Sequence, residues 1–288
     1  MTEIRRIAVV GGGGQMGNGI GQVAAVAGFD VTLLDVDRDA TDRGLARIDK
    51  SLARLVKRGD LTEDERDRAR ARITTGTGLD AAAEADHVIE AIVEDLAAKQ
   101  ETFARLDGIC QPEVIFASNT SQFPISAIGR ASGRADRVIG THWFNPPPIM
   151  RLIEVVRGLE TSDQTLATVL DLAGRFGKQT IVCHKDTAGF VTSRLIMALI
   201  LEAMRLAEEG VADVADINKA AVLGFNHAMG PLDTVDLGGL DTFIKASASM
   251  TEAYGERFRS PQIVRTLVNA GHYGWKTGRG FSDHGTAE

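Results

Sequence analysis

Two residues suited to moving a proton flank a proline-rich segment: His142 in VIGTHWFNPPP and Glu154 in RLIEVV. A carboxylate beside an imidazole fixes its tautomer and raises its pKa, which suits a general base near neutral pH. The placement favours such a pair. His142 follows a strand pattern over Val138–Gly140, and the run Pro146-Pro147-Pro148 forces an extended, stiff turn. The chain then re-enters a strand over Leu152–Val156, so a loop out and a strand back would bring His142 to Glu154. A histidine by itself more often serves core or surface packing; the strand end, the proline loop and the following acid reverse that reading. His87, His227, His272 and His284 lack an acid in a strand-end setting, and His184 lies near a domain boundary. A second strand end, Ala117–Ser126 (ASNTSQFPIS), is rich in short hydrogen-bonding side chains. It reads either as an ordinary Asx or Ser turn or as a pocket wall in which Ser121 donates to a substrate oxygen.

The stretch VVGGGGQMG, Val9 to Gly17, supplies a second kind of chemistry. A G-x-G-x-x-G fingerprint fits in one register, Gly12, Gly14 and Gly17, because a start at Gly11 would need glycine where Met16 stands. Gly12 then makes the tight turn, Gly14 admits a pyrophosphate and Gly17 lets helix and strand pack closely. Gln15 and Met16 fall inside the fingerprint and join the cofactor-binding set. Gly13 is the variable position. Gly11 is surplus at the end of the strand, where it costs about 0.5–1 kcal/mol in strand packing and rigidity. A second strand, Val31–Leu34, ends in Asp35, where an acid meets the adenosine ribose. Taken alone, Asp35 would be a turn residue before Asp37. Its carboxylate would repel a 2′-phosphate, which favours NAD over NADP, although Arg38 lies near.

The elements follow from these placements. Strand Ile7–Val10, glycine turn, helix Gly17–Gly28 and strand Val31–Leu34 form a βαβ unit and imply a parallel sheet. Charge-dense residues 39–72 read as two exposed helices forming an arm, with Thr62 and Glu65 as a capping box for the second; a solvated surface hairpin is the plainer alternative. Strands are expected at His87–Ala91, Val114–Ala117, Val138–Gly140, Leu152–Val156 and Gln179–Val182, with helices at Leu96–Ile109 and Thr165–Phe176. Beyond this the period is helical: Ala188–Glu209, Val214–Val222 and Leu240–Tyr254. The expected fold class is α/β, a Rossmann-type doubly wound sheet with a helical arm in residues 1–185, followed by an all-α domain in residues 186–288.

Bulk properties narrow the partners. The net charge of −7 gives no electrostatic reason to expect nucleic acid or an anionic membrane. Cys110 and Cys183 fit neither a disulfide framework nor a zinc spacing, so no metal is indicated. No secretory signal pattern or membrane-spanning run is read, and a cytoplasmic protein is expected.

Seven ordered motifs carry a resemblance: Gly12–Ile20 (GGGQMGNGI), Glu90–Gln100 (EAIVEDLAAKQ), Ala117–Ser121 (ASNTS), Thr141–Val156 (THWFNPPPIMRLIEVV), Lys185–Leu195 (KDTAGFVTSRL), Met229–Thr242 (MGPLDTVDLGGLDT) and Gly274–Phe281 (GWKTGRGF). Over nearly the whole chain they resemble the L-3-hydroxyacyl-CoA dehydrogenase family in its 3-hydroxybutyryl-CoA dehydrogenase-like form. The resemblance implies NAD-dependent hydride transfer at C3 of an acyl thioester. It implies His142 as base, Glu154 as its orienting acid and Ser121 on the reacting oxygen. It implies cofactor contacts from Glu94, Lys99, Asn145 and Lys276, and CoA-nucleotide contacts from Ser51 and Arg58, where a lysine is familiar in place of the arginine. It also implies that the all-α domain covers the substrate and forms a homodimer. The chain departs from the pattern at Ser193, where the family has an asparagine that helps hold the substrate. It departs again at Ala188 for a proline and at Trp143 beside the base. These changes leave open an unusual acyl group or an acyl-carrier-protein thioester; a related dehydrogenase of a small free 3-hydroxy acid is a second enzyme reading. A non-catalytic NAD(H)-binding protein is the reading from another class.

Overall fold

The structure, a computed structural model, describes residues 3–285. It divides into two compact units between Phe190 and Val191.

The first unit is built on an eight-stranded sheet in the order β3-β2-β1-β4-β5-β6-β7-β8. The strands are β1 (Arg6–Val10), β2 (Asp30–Asp35), β3 (Ile73–Thr77), β4 (His87–Glu90), β5 (Ile115–Ser118), β6 (Val138–Trp143), β7 (Leu152–Arg157) and β8 (Gln179–Cys183). Every pairing is parallel except β6 with β7, which run antiparallel. The reversal from β3-β2-β1 to β4-β5-β6 makes a switch point beside β1, where ligands of doubly wound sheets sit. The helices are α1 (Gln15–Val26), α2 (Arg38–Arg58), α3 (Glu63–Ala71), α4 (Leu96–Asp107), α5 (Ile125–Gly129) and α6 (Asp163–Arg175). Alternation along β1 shows both sheet faces covered. Ile7 and Val9 pack into one core with Ile20, Ile48, Leu52 and Phe176, while Ala8 and Val10 pack into another with Phe103, Phe116 and Ile128.

The arm is less exposed than its charge suggests. Ala40, Gly44, Ile48 and Leu52 are buried along one face of α2, so the solvated-hairpin alternative is set aside. The capping box expected at Thr62 and Glu65 is present, with both reciprocal hydrogen bonds. The edge strand β3 (ITTGT) escaped the sequence reading because Ile73 is its one buried residue. The proline segment is turned, not extended: the N–H groups of Ile149 and Met150 both donate to the Pro146 carbonyl.

The second unit is helical: α7 (Thr192–Glu208), α8 (Val214–Phe225), α9 (Pro231–Gly238), α10 (Leu240–Tyr254) and α11 (Gln262–Asn269). Its core gathers Leu201, Met204, Leu232, Leu240 and Val264. The long helix starts at Thr192, not at Ala188, because Gly189 (φ 71°) and Phe190 (φ 45°) take left-handed conformations that no right-handed helix admits. α8 runs on past Val222 to Phe225 and stops at Asn226 in the left-handed region. Helices α9 and α11 are too short for periodicity to reveal. No helix among the described residues is long and apolar enough to cross a membrane.

Candidate active site

His142 and Glu154 are register partners in the β6–β7 ladder, and His142 Nδ1 lies 2.6 Å from Glu154 Oε2. Glu154 is fully buried and His142 nearly so. Two aromatic rings flank the imidazole, Phe144 at 4.6 Å and Phe190 at 5.9 Å between centroids. The left-handed backbone of Phe190 sets the second ring, a placement that no sequence spacing announces. Asn119 Oδ1 accepts from Trp143 N at 2.9 Å, tying the end of β5 to the residue after the histidine.

A second cluster lies at the ends of β4 and β5. Glu94 Oε1 accepts from Thr120 Oγ1 (2.6 Å) and from the Ser121 N–H (3.0 Å), with Ser121 Oγ at 3.5 Å. Two motifs far apart in sequence thus meet at one carboxylate. Lys99 is buried, its Nζ 2.7 Å from Glu90 Oε1 and 3.1 Å from Glu94 Oε2. The Lys99 ammonium is thus enclosed between these two acids. Glu90 is also bonded by Ser118 Oγ (2.6 Å) and the Ile92 N–H (2.8 Å). The sequence reading passed over this residue. Its signal was a carboxylate closing the short strand HVIE directly after the apolar pair Val88-Ile89.

The glycine loop corrects one expectation. Gly11 has φ 89°, and a Cβ there would stand 2.5 Å from the Ala91 carbonyl oxygen. Strand β1 ends at Val10, so Gly11 is a turn residue that must be glycine, not a surplus strand residue. Gly13 is not free to vary either, since its Cβ would overlap the Ala40 carbonyl oxygen. The Gly14 N–H donates to Gly11 O at 3.0 Å, closing the turn. Gly17 packs against the same oxygen so closely that a Cβ would collide with it. Helix α1 opens after Gly14 without a side-chain cap, which leaves its first N–H groups for an anion.

Beside this loop lies a cavity of about 830 Å³ whose walls include Gly13, Gly14, Asp35, Val93, Arg43 and Arg47. Asp35 stands on the wall, its Oδ2 accepting from the Gly13 N–H at 2.8 Å and its Oδ1 from Val36 N–H at 2.8 Å. A dinucleotide fits these features: an uncapped helix start for phosphates, a carboxylate for ribose hydroxyls and enough volume for most of the ligand. Gln15 Nε2 donates to Asn145 Oδ1 at 2.9 Å, joining the fingerprint to the proline segment. Met16 is half-buried against the core.

The remaining expected residues lie apart from this cluster or in the second unit. Ser51 and Arg58 stand two turns apart on α2, with Arg58 Nε 3.2 Å from Asp60 Oδ2 in an exposed pair. Ser193 is half-buried in the first turn of α7. Lys276 is ion-paired with Asp241. Among the described residues no group of histidines, cysteines and acids could hold a metal ion.

A doubly wound sheet with a glycine fingerprint, an acid closing the second strand and a buried histidine–carboxylate pair at the strand ends defines a dinucleotide-dependent dehydrogenase. Comparison with known proteins narrows this. Residues 6–187 match the 3-hydroxyacyl-CoA dehydrogenase NAD binding domain, and residues 189–284 match the C-terminal domain of the same family. A probable 3-hydroxybutyryl-CoA dehydrogenase of Bacillus subtilis is 45% identical over 283 residues, covering 98% of each chain. A 3-hydroxybutyryl-CoA dehydrogenase of Mycobacterium tuberculosis is 43% identical over 281 residues, covering 96% of this chain and 98% of the relative. The crystal structure of (S)-3-hydroxybutyryl-CoA dehydrogenase from Ralstonia eutropha superposes with a TM-score of 0.95 at 40% identity, covering 99% of this chain and 100% of the other. The chain belongs to the 3-hydroxyacyl-CoA dehydrogenase family, NAD-dependent oxidoreductases.

Proposed function

We propose that the protein interconverts a short-chain 3-hydroxyacyl-CoA and its 3-oxoacyl-CoA, with His142 as the acid–base group. The observation that carries this reading is the 2.6 Å contact between His142 and the buried Glu154. Bound NAD supplies the hydride acceptor in oxidation, and NADH the donor in reduction. The protein handles the proton. With Nδ1 committed to Glu154, His142 presents Nε2 to the substrate. In oxidation Nε2 takes the proton of the 3-hydroxyl; in reduction it returns one to the C3 oxygen. Glu154 holds the imidazole in the tautomer that leaves Nε2 able to accept, and stabilises the ring once charged. Ser121 donates its hydroxyl hydrogen bond to the same oxygen, with Glu94 holding its backbone.

The family pattern supports Ser51 and Arg58 as contacts of the CoA nucleotide, with Arg58 exchanging Asp60 for a phosphate. Exposed Leu195, Leu223, Phe225 and Leu237 in the helical unit support a homodimer. A cytoplasmic setting is consistent with this metabolism. Serine at position 193 favours one second reading, an altered acyl group or a carrier-protein thioester, because serine lacks the paired donor and acceptor of an amide.

Acetoacetyl-CoA, longer 3-oxoacyl-CoAs, acetoacetyl carrier protein and free acetoacetate are assayed with NADH and NADPH. NADH-dependent reduction of acetoacetyl-CoA, lost in His142→Ala, is expected. Tight NADH binding without turnover of any thioester would leave only a binding protein. Wild-type turnover in His142→Ala would remove the general base. Preference for the carrier thioester, relieved by Ser193→Asn, would establish the second reading.

A further inference from the structure

The dinucleotide cavity carries positive charge where α2 lines it, at Arg43 and Arg47. Arg47 is held in place: its Nη1 donates to the Gly13 carbonyl at 2.7 Å. The N–H of the same glycine donates to Asp35 Oδ2 at 2.8 Å, so Gly13 is gripped on one side by the arm and on the other by the Asp35 carboxylate. The seat of the arm on the loop is backbone against backbone. A Cβ on Gly13 would overlap the Ala40 carbonyl, and a Cβ on Gly44 would overlap the Gly12 carbonyl. Ala40, Gly44 and Arg47 share one face of α2 by their spacing of four and three. Helix packing therefore delivers the Arg47 guanidinium to the loop.

We infer that Arg47 is a phosphate-binding residue of the dinucleotide site, anchored on Gly13 and presenting its other N–H donors to the cofactor pyrophosphate. The inference rests on the dinucleotide reading of this cavity. Its logic is electrostatic. A pyrophosphate beside the loop would meet the negative end of the Gly13 carbonyl dipole, and a guanidinium bonded to that oxygen offsets it while adding a full positive charge. Arginine suits both tasks because its five N–H donors form a planar fork, whereas a lysine offers a single point charge.

Dissociation constants of NADH, ADP-ribose and adenosine for the wild type, Arg47→Ala and Arg47→Gln test this. Glutamine removes the charge while keeping a polar, helix-compatible side chain, and provides a second variant should the alanine protein fail to fold. NADH and ADP-ribose, which carry the pyrophosphate, are expected to weaken about tenfold or more in both variants, and adenosine to stay within about twofold. The loss should shrink at high salt. Equal weakening of adenosine and ADP-ribose would overturn the inference by showing that Arg47 only props the loop; unchanged ADP-ribose binding would overturn it outright. A wild-type protein that binds neither NADH nor ADP-ribose would instead remove the dinucleotide reading.

Discussion

His142 and Glu154 face each other as direct cross-strand partners, with Nδ1 and Oε2 2.6 Å apart inside the single antiparallel pair of an otherwise parallel sheet. Direct partners in such a ladder hold their Cβ atoms about 4.5–5.5 Å apart. The pair is therefore fixed by backbone hydrogen bonds, and the proline turn between the strands can change shape without separating the two side chains. The carboxylate is fully buried, with one oxygen directly against the imidazole.

Replacing that charge while keeping the shape isolates its role. Glu154→Gln is expected to lower kcat for acetoacetyl-CoA reduction by about 10²–10³-fold, the scale of acid–base catalysis, with KM changed by no more than a few-fold. Steady-state kinetics read both constants. A variant that keeps its kcat and loses KM would show that Glu154 only shapes the pocket.

The glycine loop makes a prediction opposite to the one its fingerprint spacing suggests. Gly11→Ala should destabilise the protein by at least about 1–2 kcal/mol, since φ 89° is costly for any side chain and the Ala91 carbonyl is in the way. Gly174→Ala is the control. It lies in α6 with open space around the added methyl, and should stabilise by about 0.5 kcal/mol. Urea titration of both variants decides. A neutral Gly11→Ala would return this residue to the surplus role.

These two cases show what a sequence holds and what it withholds. The pairing of His142 with Glu154 was legible because both signals were local: a strand, a turn-forming run, and a second strand carrying one acid. The βαβ start was legible for the same reason. Gly11 was misread because its constraint comes from Ala91, just past the end of β4 and far away in sequence. Glu90 and Lys99 could not be seen as a pair, since burial, not spacing, gives them meaning. Phe190 reaches the imidazole through a left-handed backbone that composition does not foretell, and β3 hides because an edge strand needs little apolar surface.

The buried Lys99–Glu90 pair should behave asymmetrically. Lys99→Met leaves the Glu90 carboxylate buried without its cation and is expected to cost about 3–5 kcal/mol. Adding Glu90→Gln removes the orphaned charge and should restore more than half of that loss. Denaturant unfolding of the single and double variants measures the difference. If the double variant is no more stable than Lys99→Met, the charge pairing is not what stabilises this corner of the sheet.

A pH-dependent part of the stability resides in His87, on β4 and away from the active site. Burial pushes its pKa down from 6.5 to about 4, because the charged ring cannot be solvated there. The sign follows from proton uptake. Between about pH 6.5 and pH 4 the unfolded chain binds a proton that the folded protein refuses, so this contribution is fully present above pH 6.5 and drains away as the pH falls through that window. Between pH 7.5 and pH 5 the loss should be about 2 kcal/mol. His87→Leu removes the titrating group, and its unfolding free energy should fall by about that much less than the wild type's over the same interval. Parallel pH profiles for the two proteins would show that His87 charges as readily in the folded state as in the unfolded chain.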